Sequence, residues 1–208
     1  METSEAYNQW AGQYDSNENK TRDLEAIALR SALSALPLGR CLEIGCGTGK
    51  NTEWLMTRAE EITAVDFSGQ MLSRARQKIK SEKVQFIQAD ITKAWDFASG
   101  PYDLVCFSLV LEHIQYLDPI FQQAARVLKP GGHIYIGELH PFKQYSGSKA
   151  RFETGDGVQV VACYDHHLSE FVQTAKRHGF ALLDVNEYFD GDDKSTVPRI
   201  LTIVLVRQ

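Results

Sequence analysis

The sequence lacks the features that would mark several common protein classes. No apolar run in its 208 residues approaches the ~20 needed to cross a bilayer. The opening Met1-Glu2-Thr3-Ser4-Glu5 has neither the basic nor the apolar region of a secretory leader. Only four cysteines are present, none in a Cys-x-x-Cys pair, which removes the usual zinc-ribbon and thioredoxin patterns. Three of them (Cys41, Cys106 and Cys163) sit in apolar, strand-like runs and read as reduced, buried small residues. Basic residues are scarce as well: 22 Lys and Arg stand against 27 Asp and Glu, for a net charge of -5. The densest set, Arg74, Arg76, Lys78, Lys80 and Lys83, points in several directions on a helix. It reads as a solvated face rather than a phosphate-binding stripe. These absences predict a cytoplasmic protein with no membrane and no nucleic-acid partner, a monomer or a homodimer.

What is present is ordinary globular material, 43% hydrophobic and 24% charged, at a length suited to one domain, 1–208. Short apolar runs rich in β-formers fall at 41–44, 62–65, 84–89, 104–108 and 133–137. Helical patterns separate them at 51–58, 69–80 and 120–128, and a further amphipathic stretch at 24–36 precedes the first run. Alternation of this kind predicts an α/β fold: a mostly parallel, open Rossmann-like sheet with helices on both faces. Lys129-Pro130-Gly131-Gly132 reads as the turn before the fifth strand. Residues 141–157 carry little periodicity and predict an excursion, part of a substrate-side segment at 140–165 that also holds a possible strand at 158–164. A helix at 168–178 and two β-rich runs at 181–189 and 200–206 close the chain. The last two read as an antiparallel hairpin, for seven strands in all.

The first strand runs into Glu43-Ile44-Gly45-Cys46-Gly47-Thr48-Gly49. Glycines here let the backbone turn sharply and approach a ligand closely. Taken alone they leave open a bare turn, a dinucleotide site and an adenosyl site. Glu43 flanks the loop, Asp66 ends the second strand and Asp90 follows the third. Acidic residues at successive strand ends lie along the ligand-binding edge of an open sheet. A carboxylate after the second strand can accept ribose hydroxyls, and one after the third can accept from an adenine amino group. An acid beside the loop suits a cationic group better than a pyrophosphate.

Here a family resemblance becomes plain. The run 41–49 resembles the first motif of class I S-adenosylmethionine-dependent methyltransferases. Val65-Asp66-Phe67-Ser68 through Met71-Leu72 resembles the second, Gln88-Ala89-Asp90-Ile91 the third, and Tyr102-Asp103-Leu104-Val105 through Leu111-Glu112-His113 the fourth. Arg126 to Gly132 is similar to the family's turn before strand five. The resemblance covers about 7–138 and is nearest to the small-molecule branch that includes the ubiquinone and menaquinone methyltransferases. It implies S-adenosylmethionine as cofactor and a small-molecule acceptor methylated on O, N or C. Gly45 and Gly47, with Cys46 between them, would then pack on the methionine part. Asp66 would hold the ribose, Phe67, Met71, Asp90 and Ile91 the adenine, and Ser108 would lie under the methionine. A non-catalytic cofactor-binding module and a nicotinamide-dependent oxidoreductase are the alternatives.

The segment Tyr7-Asn8-Gln9-Trp10-Ala11-Gly12-Gln13-Tyr14-Asp15 resembles the family's N-terminal lid, expected over 1–23. Tyr7 and Tyr14 are seven apart, on one face if the helix continues. Tyr14 is expected near the sulfonium, where an aromatic face attracts a cation. Arg22 is expected on the methionine carboxylate, which a guanidinium grips in a fork. For a base, His140 directly after the fifth strand is the first candidate and His167 the second. No metal site is expected.

Overall fold

A computed structural model describes residues 3–12, 14, 18–149, 151–154 and 157–208; Gln13 and Asp15 of the expected lid lie outside the described residues. A helix α1 (Thr3–Trp10) and a second, α2 (Lys20–Ala32), precede β1 (Arg40–Ile44). Then follow α3 (Lys50–Leu55), β2 (Glu61–Asp66), α4 (Gly69–Lys78), β3 (Val84–Gln88) and β4 (Tyr102–Ser108). A single 3₁₀ turn, Leu111–His113, leads to α5 (Leu117–Val127) and β5 (Leu128–Leu139). The excursion holds α6 (Pro141–Tyr145), β6 (Arg151–Thr154) and β7 (Gly157–Val160). The chain closes with α7 (Leu168–Arg177), β8 (Phe180–Tyr188) and β9 (Ile200–Arg207).

Seven strands form one sheet in the order β3-β2-β1-β4-β5-β9-β8, with β9 and β8 antiparallel and the rest parallel. The order reverses between β1 and β4, the point at which open α/β sheets leave a crevice at their carboxyl edge. The side chains of β1 divide between two cores. Leu42 and Ile44 pack with Phe121 of α5 and Phe171 of α7 on one face. Cys41 packs with Leu29 and Leu33 of α2, Leu55 of α3 and Leu72 of α4 on the other. That alternation is the period of two in a strand buried on both sides.

Several boundaries differ from the sequence expectation for local reasons. α5 starts three residues early, because Pro119 sits in its first turn, where a missing N–H costs little. Lys129 to Gly132 do not separate helix from strand. Leu128 already pairs with Tyr102, and the register shifts before Leu104 meets His133, so the four residues form an irregularity inside β5. The excursion, read as aperiodic, contains α6, whose start is capped by the His140 ring. Its β7 reaches only Val160, where a strand over 158–164 was expected. α1 stops at Trp10, so Tyr14 is not on its face; the two tyrosine rings still meet, with centroids 6.4 Å apart.

Candidate functional site

The glycine loop owes its shape to left-handed backbone. Gly45 has φ +72°, and a Cβ there would stand 2.0 Å from Val110 Cγ2. Gly47 has φ +54° and Gly49, at +85°, begins α3. The loop is pinned by Asp66: Gly47 N–H donates to its Oδ2 and Ser68 N–H to its Oδ1, each at 2.8 Å. Ser68 in turn caps α4, its hydroxyl accepting from Met71 N–H at 3.1 Å. Burial raises the Asp66 carboxyl above its ordinary value, and the backbone donors oppose the rise. A carboxylate has about four lone-pair sites, so two backbone bonds leave acceptor capacity for a ligand.

A cavity of about 470 Å³ opens over this edge of the sheet. Its wall includes Gly45, Gly47, Asp66, Phe67, Met71, Asp90, Ile91, Ser108 and Tyr14, nine of the twelve residues expected to hold cofactor. The size is that of an ordinary small-molecule site. Met71 is buried while Phe67 is 43% exposed. Asp90 forms an Asx turn, its Oδ1 accepting from Thr92 N–H (2.9 Å) and Thr92 Oγ–H (2.6 Å). Ser108 Oγ accepts from Asn51 Nδ2 at 3.3 Å.

The other three expected residues stand elsewhere. Glu43 faces away from the cavity, among the residues opposite Leu42 and Ile44, and its Oε2 accepts from Thr52 Oγ–H at 2.6 Å. Burial pushes its carboxyl up to about 8, with Glu25 and Asp66 adding repulsion. It therefore braces the start of α3 and does not present a negative charge to a ligand. Cys46 is buried with Leu55 and Leu72, so only the backbone of its loop reaches the cavity. Arg22 lies beside a second cavity of about 270 Å³ that shares Tyr7, Tyr14 and Leu109 with the first. Asn19 caps α2, accepting from Thr21 and Arg22 N–H. That cap sets Arg22 with its guanidinium 4.0 Å from the Tyr14 ring centre, donating to the Tyr14 carbonyl.

Neither histidine expected as a base lines either cavity. His140 is buried: its Nδ1 accepts from Phe142 N–H at 3.2 Å and its Nε2 meets Glu187 Oε1 at 2.9 Å. Burial lowers its pKa, and Glu187 counters this. His167 is exposed and bonds the Tyr145 hydroxyl at 2.6 Å. In this structure the His140 ring caps α6 and His167 lies exposed beside Tyr145.

Tyr7 and His113 were underweighted in the sequence. Both line the first cavity. His113 Nδ1–H donates to the Ala162 carbonyl at 2.9 Å, which leaves Nε2 to accept from the Tyr7 hydroxyl at 2.8 Å. Burial lowers the pKa of the ring. The pair fastens α1 to the end of β4, and Tyr7, Trp10 and Tyr14 cluster at centroid distances of 4.9 to 6.4 Å. Among the described residues no group of three or more His, Cys, Asp or Glu is placed to hold a metal ion. No helix among them is long and apolar enough to cross a membrane.

Residues 42–136 match a family model described as a methyltransferase domain. The chain is matched over just under half of its length. It is 26% identical over 228 aligned positions to an uncharacterized methyltransferase of Emericella nidulans, covering 89% of this chain and 78% of that one. It is 35% identical over 114 positions to a malonyl-[acyl-carrier protein] O-methyltransferase of Enterobacter lignolyticus, covering 55% of this chain and 44% of that one. The chain therefore spans less than half the length of that second relative. Among solved structures, an S-adenosylmethionine-dependent methyltransferase from Mesorhizobium loti has the same fold, with a TM-score of 0.75 at 21% identity over 91% of this chain and all of that one. The nicotinamide-dependent alternative gives way to these matches.

Proposed function

We propose that the first cavity holds S-adenosylmethionine and that the enzyme passes its methyl group to a small-molecule acceptor entering from the second cavity. The observation that supports this most strongly is the wall itself: left-handed Gly45 and Gly47 beside Asp66 and Asp90, at the β1/β4 reversal. The loop fits such a guest: a Cβ on Gly45 would strike Val110, so Gly45 meets the cavity as bare backbone. When bound, S-adenosylmethionine supplies an electrophilic methyl on a cationic sulfur.

Asp66 would accept the ribose hydroxyls. Phe67, Met71, Asp90 and Ile91 would enclose the adenine. Ser108 and the glycine loop would border the methionine, with Arg22 and Tyr14 at its carboxylate. Tyr7, held by His113, would place its ring at the methyl end. What this chain contributes to the transfer is alignment and exclusion of water. No base role falls to His140 or His167, which line neither cavity.

Calorimetric titration of S-adenosylhomocysteine into the protein and its Asp66→Ala variant tests the reading. Wild-type binding should weaken at least about tenfold, ~1.4 kcal/mol, in the variant. Equal affinity would remove Asp66 from the ribose, and no binding to the wild type would defeat the proposal.

A further inference from the structure

The second cavity carries charge of both signs. Glu112, in the 3₁₀ turn after β4, lines it together with Arg22, Lys149 and Arg199. Glu112 is 6% exposed, and its Oε2 is shut off from water with no hydrogen-bond partner among the described residues. Its Oε1 lies 3.9 Å from His113 Nε2. Glu138 is a second buried carboxyl nearby, and its Oε1 accepts from Val110 and Leu111 N–H. Burial pushes Glu112 up to about 7, eased by the Cys163 thiol, and pushes Glu138 up to about 8, with repulsion from Glu112. A buried carboxyl oxygen without a donor costs free energy that a ligand N–H can return once the Glu112 side chain turns into the cavity it lines. A cation at Glu112 would relieve its repulsion with Glu138.

Lys149 is exposed. Arg199 donates to both oxygens of Asp190 and from Nη1 to Thr21 Oγ at 3.1 Å, so its guanidinium is fixed beside the cavity. Arg22 lines the same cavity, and the proposed function gives it to the methionine carboxylate. A guest with one charged end would engage either Glu112 or the Lys149 and Arg199 pair, not both.

We propose that the second cavity is the acceptor subsite and takes a small amine bearing a carboxylate or phosphate, the amine on Glu112 and the anion on Lys149 and Arg199. This rests on the reading of the first cavity as the donor site. The amine arrives protonated and gives one proton to the Glu112 carboxylate. Its freed lone pair then forms the nitrogen–methyl bond as the methyl–sulfur bond breaks, and that bond's electron pair stays on sulfur. The methylated ammonium, a neutral thioether and protonated Glu112 result, with total charge conserved.

The test is a titration of the full chain, saturated with S-adenosylhomocysteine, with ω-amino carboxylates of roughly three to six carbons and the matching aminoalkyl phosphates. Counterparts lacking the amine or the anion serve as controls. At least one two-ended compound should bind about tenfold more tightly than both of its one-ended counterparts. Glu112→Gln should erase that gain while S-adenosylmethionine and S-adenosylhomocysteine bind within about twofold of wild type. The double variant Lys149→Ala, Arg199→Gln should weaken the same compound at least about threefold, and it decides the matter if Glu112→Gln does not fold. No gain for any two-ended compound, or a gain untouched by these variants, overturns the proposal. So does a Glu112→Gln effect on S-adenosylmethionine alone, which would assign the carboxyl to the sulfonium. A wild-type protein that fails to bind S-adenosylhomocysteine defeats the donor reading first and this proposal with it.

Discussion

Gly45 shows how a single position ties sequence to site. Its φ of +72° and the 2.0 Å approach of Val110 Cγ2 to a built Cβ leave no room for a side chain. Gly45→Ala should destabilise the fold by roughly 2 kcal/mol through strain and overpacking. It should also weaken S-adenosylhomocysteine binding, as thermal melts with and without the ligand would register. The cavity-lining glycines, Asp66 and Asp90 were legible in the sequence because chain position at a strand end places them there. Glu43 was not, because it lies one residue inside β1, and the alternation of a doubly buried strand turns its side chain toward Thr52. His140 shows a related effect: following a strand puts a residue at the right edge, but the ring caps α6 and lines neither cavity. Tyr7 and His113 are brought together by folding across 106 positions, a distance over which periodicity says nothing.

At the scale of elements, the parallel strands and their helices were legible because apolar period and turn chemistry agree along them. The excursion was not. Its α6 is five residues long and depends on a histidine cap, and its hairpin of β6 and β7 is isolated from the main sheet. α5 carries the core on one face: Phe121 is 1% exposed and meets Phe180 edge-on at 6.3 Å. Phe121→Ala should cost about 3–5 kcal/mol. Denaturant unfolding should show this loss in the midpoint. A cost below about 1 kcal/mol would mean that α5 does not hold the sheet as described.

Across the whole molecule, buried carboxyls set the response to pH. Glu43 and Glu138 titrate at about 8 and Glu112 at about 7, all above their ordinary value. In the unfolded chain they ionise near the usual carboxylate range, whereas the folded state resists. The stability they contribute is fully present below that range and is lost progressively as pH rises through about 7 to 8. Asp103, held down by the Arg40 N–H and Lys129, and Asp190, held down by Arg199, work in the opposite sense. Their contribution fades as acid titrates them. The melting temperature should therefore be higher at about pH 5.5 than at about pH 9. Glu43→Gln should shrink that difference, and an unchanged difference would show that Glu43 is not the buried acid described.

The central claim concerns one ligand in one cavity, so a crystal structure with S-adenosylhomocysteine tests it most directly. The account predicts ribose hydroxyls within hydrogen-bond reach of Asp66, adenine against Met71 and Ile91, and the amino-acid end along Gly45 toward Arg22. Ligand density outside that cavity, or a ribose held by groups other than Asp66, would contradict it.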